Sequence, residues 1–501
     1  MLYISTRQSD PSDAKTFREV FLCGLAEDGG LFVPQSIPAI DLCNLRDLKF
    51  EEIAYVIFRE YISCNEIPDD DLRDLLNASF KTFRSKNGEV TPLVKLNNGL
   101  YILELFHGPS FSFKDIALQV VGALFTYFGS NRQRTIVTAT SGDTGSAAIH
   151  SVKGKRGLSC FVLFPKDNIS AVQQAQMATE SVTNANIHTI AVEGTFDDCQ
   201  DAVKALFMDA EFKEQVGLSA VNSINWARIL TQMTYYFYAF LRLREYQTVQ
   251  FSVPTGNFGD ILAGYYALRM GLPIGKLIIA TNRNDILTRF MRTGVYRRKD
   301  LIGTLAPAMD ITISSNFERL LWHVLERELR GVAASEQIIS WMGELKRVGG
   351  FSVPLEMLYR MQEIFTSQSI DDECILHTIR DINDSHDYLI DPHTATGVCA
   401  AGNNAGGDGV TVCLATAHPG KFPETIYSAL GNHVNDFVPQ PLRDVLDKPQ
   451  VIHFMKVDNL VNLLKEFILD GEFEQLPVYK DQINKSIDQI NKSINNLMKF
   501  Y

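Results

Sequence analysis

No stretch of this chain approaches the roughly 18 uncharged apolar residues that a spanning helix requires, which excludes a helical membrane anchor. A basic excess is missing as well. The 47 lysines and arginines face 59 acidic side chains, for a formal net charge of -12. Such a balance gives no surface suited to neutralising nucleic-acid phosphates or anionic lipid. There is no CxxC pair. The eight cysteines (Cys23, Cys43, Cys64, Cys160, Cys199, Cys374, Cys399, Cys413) are scattered, mostly beside apolar residues, and are expected to be buried structural thiols in a reducing compartment. The opening MLYISTRQSDPSD has neither the apolar core of a signal peptide nor the arginine content of a transit peptide, so the expected location is cytoplasmic. What is present is a chain of 501 residues, 46% of them hydrophobic, enough for two or three domains.

Residues 1–90 are dominated by helical patterns such as FEEIAYVIFREYI (50–62) and DDLRDLLNASFKTFRS (70–85), which predict a separate, mostly helical N-terminal domain. From about residue 91 the pattern changes to short β-branched and aromatic runs: YILELF, TIVTA, SCFVLFP, HTIAV, VQFSVP, KLIIAT and VTVCLAT. Longer helix-like stretches separate them, the signature of α/β units with parallel sheets. Between 282 and 390 the strand signal weakens and SNFERLLWHVLERELRG and SEQIISWMGELKRVG read as helices. The expected division is therefore 1–90, a core over 91–440 and an extension over 441–501. The extension repeats QINKSID as QINKSIN, setting Ile483, Ile487, Ile490, Ile494 and Leu497 at alternating spacings of four and three. That is a coiled-coil stripe, but two heptads are too few for a stable isolated coil.

Ligands of α/β folds sit beyond the C-terminal strand ends, so the loops there carry the chemistry. In ELFHGPSFSFKDIALQ, Lys114 follows a strand and a Gly-Pro turn, between Phe113 and an apolar helix. An amine partly shielded from water is easier to deprotonate and attacks an aldehyde more readily, although a lysine paired with Asp115 at a helix start is the plain alternative. TIVTATSGDTGSAAIHSV runs a strand into hydroxyl and glycine residues that open a helix, suited to a carboxylate or hydroxyl ligand or to an ordinary turn. In FSVPTGNFGDILAG, Gly256 and Gly259 bracket Asn257 and Phe258 before another helix. No GK[ST] follows and no GxGxxG spacing is present, so a phosphate held by backbone N–H groups and a structural turn are both open. VTVCLATAHPGKF ends a strand in Thr416, whose hydroxyl can bond a heterocyclic nitrogen or close a turn on its own backbone.

Taken in order, HGPSFSFKD, TSGDTGSAA, NSINWAR, PTGNFGD and TAHPGKF resemble threonine synthase, in its fungal form. The resemblance extends from YISTR and DGGLFVP near the N-terminus to TAHPGKF. It implies a fold-type-II pyridoxal-phosphate enzyme, similar to the tryptophan synthase β subunit, with two α/β lobes, the smaller over roughly residues 118–225. It further implies that Lys114 is the catalytic Schiff-base lysine. Gly256, Asn257, Phe258, Gly259 and Asp260 would then cradle the phosphate of pyridoxal 5'-phosphate, and Thr416 would face the pyridine nitrogen. A hydroxyl there leaves the ring largely unprotonated, which favours elimination over transamination. Ser141, Gly142, Asp143 and Thr144 match the loop that contacts the amino-acid substrate, and Asn222, Ser223 and Arg228 match contacts to the substrate phosphate. Ser110 stands where the family usually has Thr and Ser112 where it often has Ala, differences that bear on fine positioning rather than on reaction class.

The activity implied is conversion of O-phospho-L-homoserine and water to L-threonine and phosphate, without a metal. The alternative is a phospho-lyase giving 2-oxobutyrate, ammonia and phosphate from O-phosphohomoserine or O-phosphothreonine. Pro109 fits the synthase pattern better. A scaffold that kept the fold without activity is disfavoured by retention of Lys114 together with GNFGD. The expected partner is the small-molecule substrate, with no nucleic acid or membrane, and the chain is expected as a monomer or homodimer.

Overall fold

The computed structural model describes residues 1–8, 13–83, 85–97, 99–129, 133–166, 169–329, 331–403, 409–431 and 437–470. The heptad stripe at Ile483 to Leu497 lies outside the described residues. The described residues divide into two compact units, one from Met1–Arg132 with Ser219–Pro439, the other from Gln133–Leu218 with Gln440–Tyr501.

The first unit is built on a six-stranded sheet. Its order is Phe365–Ser369, Ile274–Thr281, Val249–Pro254, Val410–Ala415, Leu100–Glu104, Leu93–Lys95. All neighbours are parallel except the last pair. The inner strands are mostly apolar because helices cover both faces, as the continuous burial of Val410–Ala415 shows. On one face the Pro392–Asn403 and Asp372–His386 helices close a core of Ile102, Ile278, Ile375, Ile379, Val398 and Cys413. The N-terminal helices form as their periodicity predicts. Phe50–Tyr61 buries Phe50, Ile53, Ala54, Ile57, Phe58 and Tyr61, one stripe of an amphipathic helix. Glu51 and Glu52 lie at its positive end and Arg59 at its negative end.

The second unit carries a five-stranded sheet ordered His453–Lys456, Ile187–Glu193, Leu158–Pro165, Arg134–Ala139, Leu218–Ser219. Its core gathers Val137, Phe161, Leu163, Ile190, Leu206, Met455, Leu464 and Phe467, so the segment after residue 440 returns to complete this sheet and its helical cover.

The cysteine expectation needs correction. All eight are free, and only Cys160, Cys199 and Cys413 are buried, while Cys23, Cys43, Cys64 and Cys374 are exposed. Apolar neighbours in sequence do not bury a thiol at a helix end or turn, because adjacent residues point to different faces. Cys23 closes Phe17–Cys23, Cys43 lies in a 3-10 turn and Cys374 sits in the first turn of Asp372–His386. Among the described residues no helix is long and apolar enough to cross a membrane.

Candidate active site

Three adjacent parallel strands of the first unit end on the same side of the sheet. Val249–Pro254 runs into Gly256, Val410–Ala415 into Thr416, and Leu100–Glu104 into the segment leading to Lys114. This is where the connectivity of an α/β sheet leaves space for a ligand. The loop before Lys114 is tied to the Thr416 strand end. The Phe113 N–H donates to the Thr416 carbonyl at 2.8 Å, and the His418 N–H to the Phe111 carbonyl at 3.1 Å. Phe111 has φ +59°, a left-handed conformation rare for a bulky residue and typical of functional loops.

Lys114 opens the Lys114–Phe128 helix, half-buried, with its ammonium 4.8 Å from the centre of the Phe113 ring. Its charge reaches Asp260. Burial pushes the Asp260 carboxyl up to about 6, and the Tyr235 and Tyr236 hydroxyls and the Lys114 charge oppose that rise. The neighbouring Asp115 points inward instead. Burial raises its carboxyl to about 6, the Ser110 N–H donates to it at 2.8 Å, and the charge of Lys421 stabilises it. Lys421 is fully buried and donates to the Ser110 carbonyl at 2.8 Å. The Asp115 carboxyl is thus met by the Ser110 N–H and by the charge of Lys421.

The Gly256–Asp260 loop presents a row of backbone donors. Among the described residues, no protein acceptor meets the N–H groups of Gly256, Asn257, Phe258, Gly259 or Asp260. Phe258 and Gly259 are buried, where an unpaired N–H is costly. Phe258 itself is left-handed at φ +63°, its ring packed at 5.2 Å from that of Phe317. Five donors at a helix start are suited to an anion.

A second group of polar residues lies beside it. Arg228, in the first turn of Trp226–Leu241, is 4% exposed. Its Nη1 donates to the Val221 carbonyl at 3.0 Å and its Nε has no partner. Burial pulls the guanidinium down to about 10, with no carboxylate acting on it. Asn222 and Ser223 lie on the same approach to the helix, which Asn225 caps by accepting from the Ala227 N–H. The Ser223 Cβ is 3.8 Å from where a Cβ on Gly259 would stand, so the two loops touch.

Ser141, Gly142, Asp143 and Thr144 belong to the second unit. There the Thr140 hydroxyl accepts from the Gly142 and Gly145 N–H groups at 2.9 Å each, shaping the start of Asp143–Val152. Asp143 is 4% exposed and accepts from the Gln173 amide at 3.0 Å. Gly142 has φ +131°, and any Cβ there would fall 2.4 Å from the Gln173 side chain. Only glycine fits.

Several residues that support these segments escape sequence reasoning: in the first unit Lys421, Asn316, Arg319 and the trio Asp391, His393 and Thr394, and in the second unit Gln173. The Thr416 N–H donates to the Thr394 hydroxyl at 3.3 Å, and that hydroxyl donates to Asp391. His393 Nδ1 faces Asp391 at 2.6 Å while its Nε2 accepts from the Ala308 N–H at 3.1 Å. The backbone of Thr416 is thereby engaged at both ends, and its hydroxyl has no partner among the described residues. The signal that could have found the trio is DPHT just before a helix, an N-terminal capping pattern.

An amine, a hydroxyl at a strand end and a row of bare N–H groups in one unit match the aldehyde, pyridine nitrogen and phosphate of pyridoxal 5'-phosphate, so the donor set fits that group. Among the described residues no cluster of His, Cys, Asp or Glu is arranged to hold a metal. Residues 85–356 match the family described as pyridoxal-phosphate dependent enzyme. Fold and site together define a pyridoxal-phosphate enzyme of fold type II. Residues 2–80 match the threonine synthase N terminus and 394–468 the threonine synthase C-terminal family. Threonine synthase of Saccharomyces cerevisiae is 46% identical over 93% of this chain and 98% of its own length. The crystal structure of threonine synthase from yeast superposes with a TM-score of 0.87 at 46% identity, covering 94% of this chain and 99% of that one. The pyridoxal-phosphate-bound threonine synthase from Brucella melitensis gives 0.86 at 40% identity over 93% and 98%. The chain belongs to the threonine synthase family.

Proposed function

We propose that this chain converts O-phospho-L-homoserine and water to L-threonine and inorganic phosphate. The observation that carries the reading is Arg228, a guanidinium buried beside Asn222 and Ser223 without a carboxylate. A buried cation left in this state is built for an anionic ligand, and guanidinium binds phosphate in bidentate geometry. The Gly256–Asp260 loop would hold the cofactor phosphate, Thr416 would bond the pyridine nitrogen, and Ser141, Gly142, Asp143 and Thr144 would receive the substrate carboxylate. When bound, pyridoxal phosphate supplies the electron sink that acidifies the carbons next to the amino group.

The Lys114 amine removes the Cα and Cβ protons and returns protons to Cγ and Cα. Arg228, Asn222 and Ser223 stabilise the charge on the phosphate as its bond to Cγ breaks. Water then adds its hydroxyl to Cβ, and its remaining proton ends on the released phosphate. One water consumed and one phosphate released balance the conversion. A reducing, cytoplasmic setting is part of the same reading, supported by eight free thiols.

The test is product analysis after incubation with O-phospho-L-homoserine. Threonine with stoichiometric phosphate is expected, whereas 2-oxobutyrate with ammonia would assign the chain to the lyase alternative. Lys114→Ala is expected to abolish turnover, and normal turnover in that variant would remove the mechanism.

A further inference from the structure

Both phosphate-holding segments lean on one short stretch, Ser314 to Arg319, at the start of the Phe317–Leu329 helix. Asn316 is fully buried. Its side-chain amide donates to the Asn257 carbonyl at 3.0 Å and to the Ser223 carbonyl at 3.3 Å, and its backbone N–H donates to the same Asn257 carbonyl at 3.1 Å. The Ser314 hydroxyl donates to the Gly256 carbonyl at 2.6 Å. Arg319, also fully buried, donates to the Asn316 side-chain oxygen, to the Ile224 carbonyl at 2.6 Å and to the Phe32 carbonyl at 2.9 Å.

These contacts determine where the opposite ends of the peptides point. The described residues include no cis peptide bond, and in a trans peptide the C=O and the following N–H face opposite ways. Holding the Gly256 and Asn257 carbonyls against Ser314 and Asn316 turns the N–H groups of Asn257 and Phe258 away from them. Those are two of the five bare donors. Holding the Ser223 carbonyl turns the Ile224 N–H away in the same manner. The left-handed Phe258 follows directly after the carbonyl that Asn316 grips twice.

We propose that Asn316, backed by Arg319, is a positioning residue that sets the spacing between the cofactor-phosphate loop at 256–260 and the substrate-phosphate segment at 222–228. The proposal rests on the functional reading above. Neither side chain touches the reacting atoms. Asn316 acts by fixing two carbonyls at once, and Arg319 by fixing Asn316, Ile224 and Phe32, a three-way grip in the plane of one guanidinium that a lysine cannot reproduce.

The test is titration of the full-length apoprotein with pyridoxal 5'-phosphate and, separately, with pyridoxal, which lacks the phosphate. Asn316→Asp is the informative variant. It keeps the shape and gives Arg319 a carboxylate partner, but points an oxygen instead of an N–H donor at two carbonyls. Loss of these bonds is expected to weaken pyridoxal-phosphate binding roughly tenfold while leaving pyridoxal binding unchanged. Asn316→Ala and Arg319→Lys are expected to move the same ratio, and KM for O-phospho-L-homoserine should rise more than kcat falls. An unchanged ratio in a folded Asn316→Asp protein overturns the proposal, as does equal loss for both ligands, which would mean general loosening. If the unaltered protein itself shows no preference for the phosphorylated ligand, the cradle reading fails instead.

Discussion

A guanidinium closed off from water with no carboxylate beside it weakens the fold until an anion arrives, and Arg228 is such a group. Replacing a buried charge by an apolar side chain of similar volume often stabilises a protein, and function-bearing positions trade stability for activity. Arg228→Met is therefore expected to raise the unfolding free energy of the apoprotein by about 1 kcal/mol or more. The same change removes a bidentate phosphate contact, so kcat/KM for O-phospho-L-homoserine should fall by at least about 100-fold. Thermal unfolding and steady-state kinetics on one preparation check both halves. A variant both less stable and fully active would show that the guanidinium serves packing alone.

At the scale of elements, the second unit holds a pH-sensitive joint. His188 on Ile187–Glu193 stacks at 4.4 Å on Phe161 and meets Phe467 edge-on at 5.2 Å. His453, on the neighbouring strand, lies 4.6 Å from Phe467 and 6.3 Å from His188, its Nδ1 without a partner. Burial lowers both imidazoles, His188 to about 4 from an ordinary 6.5, and the charge of His453 adds to the lowering of His188. Unfolded chains take up protons as pH falls below about 6.5 while the folded unit does not, so stability declines between about 6.5 and 4. The urea midpoint of the His453–Lys456 joint, followed by hydrogen exchange, should drop over that range. His188→Phe should flatten the decline, and an unaltered slope would place its origin elsewhere.

The same strands show what a sequence reveals. Buried parallel strands such as Val410–Ala415 read as largely apolar, β-branched runs and are legible. Phe365–Ser369 (FTSQS) and His453–Lys456 (HFMK) are edge strands, bonded on one flank, and carry no such run. Both escape the pattern. The loops at strand ends were legible because a helix start needs glycine and hydroxyl residues locally. Asn316, Arg319, Lys421 and His393 were not, because their partners lie tens to hundreds of residues away in the chain.

For the molecule as a whole, binding and stability are linked through the donors that the fold leaves unmatched. The bare N–H row at 256–260, the Thr416 hydroxyl and the Arg228 guanidinium all lie in the first unit. Each costs stability while empty and returns it when an acceptor arrives, so a ligand that binds only the folded state must raise the melting temperature by mass action. At a thousandfold excess over its dissociation constant, pyridoxal 5'-phosphate should stabilise the apoprotein by about 4 kcal/mol. Pyridoxal at equal concentration leaves the N–H row unmet and should give much less. Hydrogen exchange should slow at residues 256–260 with the phosphorylated ligand and not with pyridoxal. Slowing confined to the second unit, or equal stabilisation by both ligands, would mean that the phosphate is not held by the loop after Val249–Pro254.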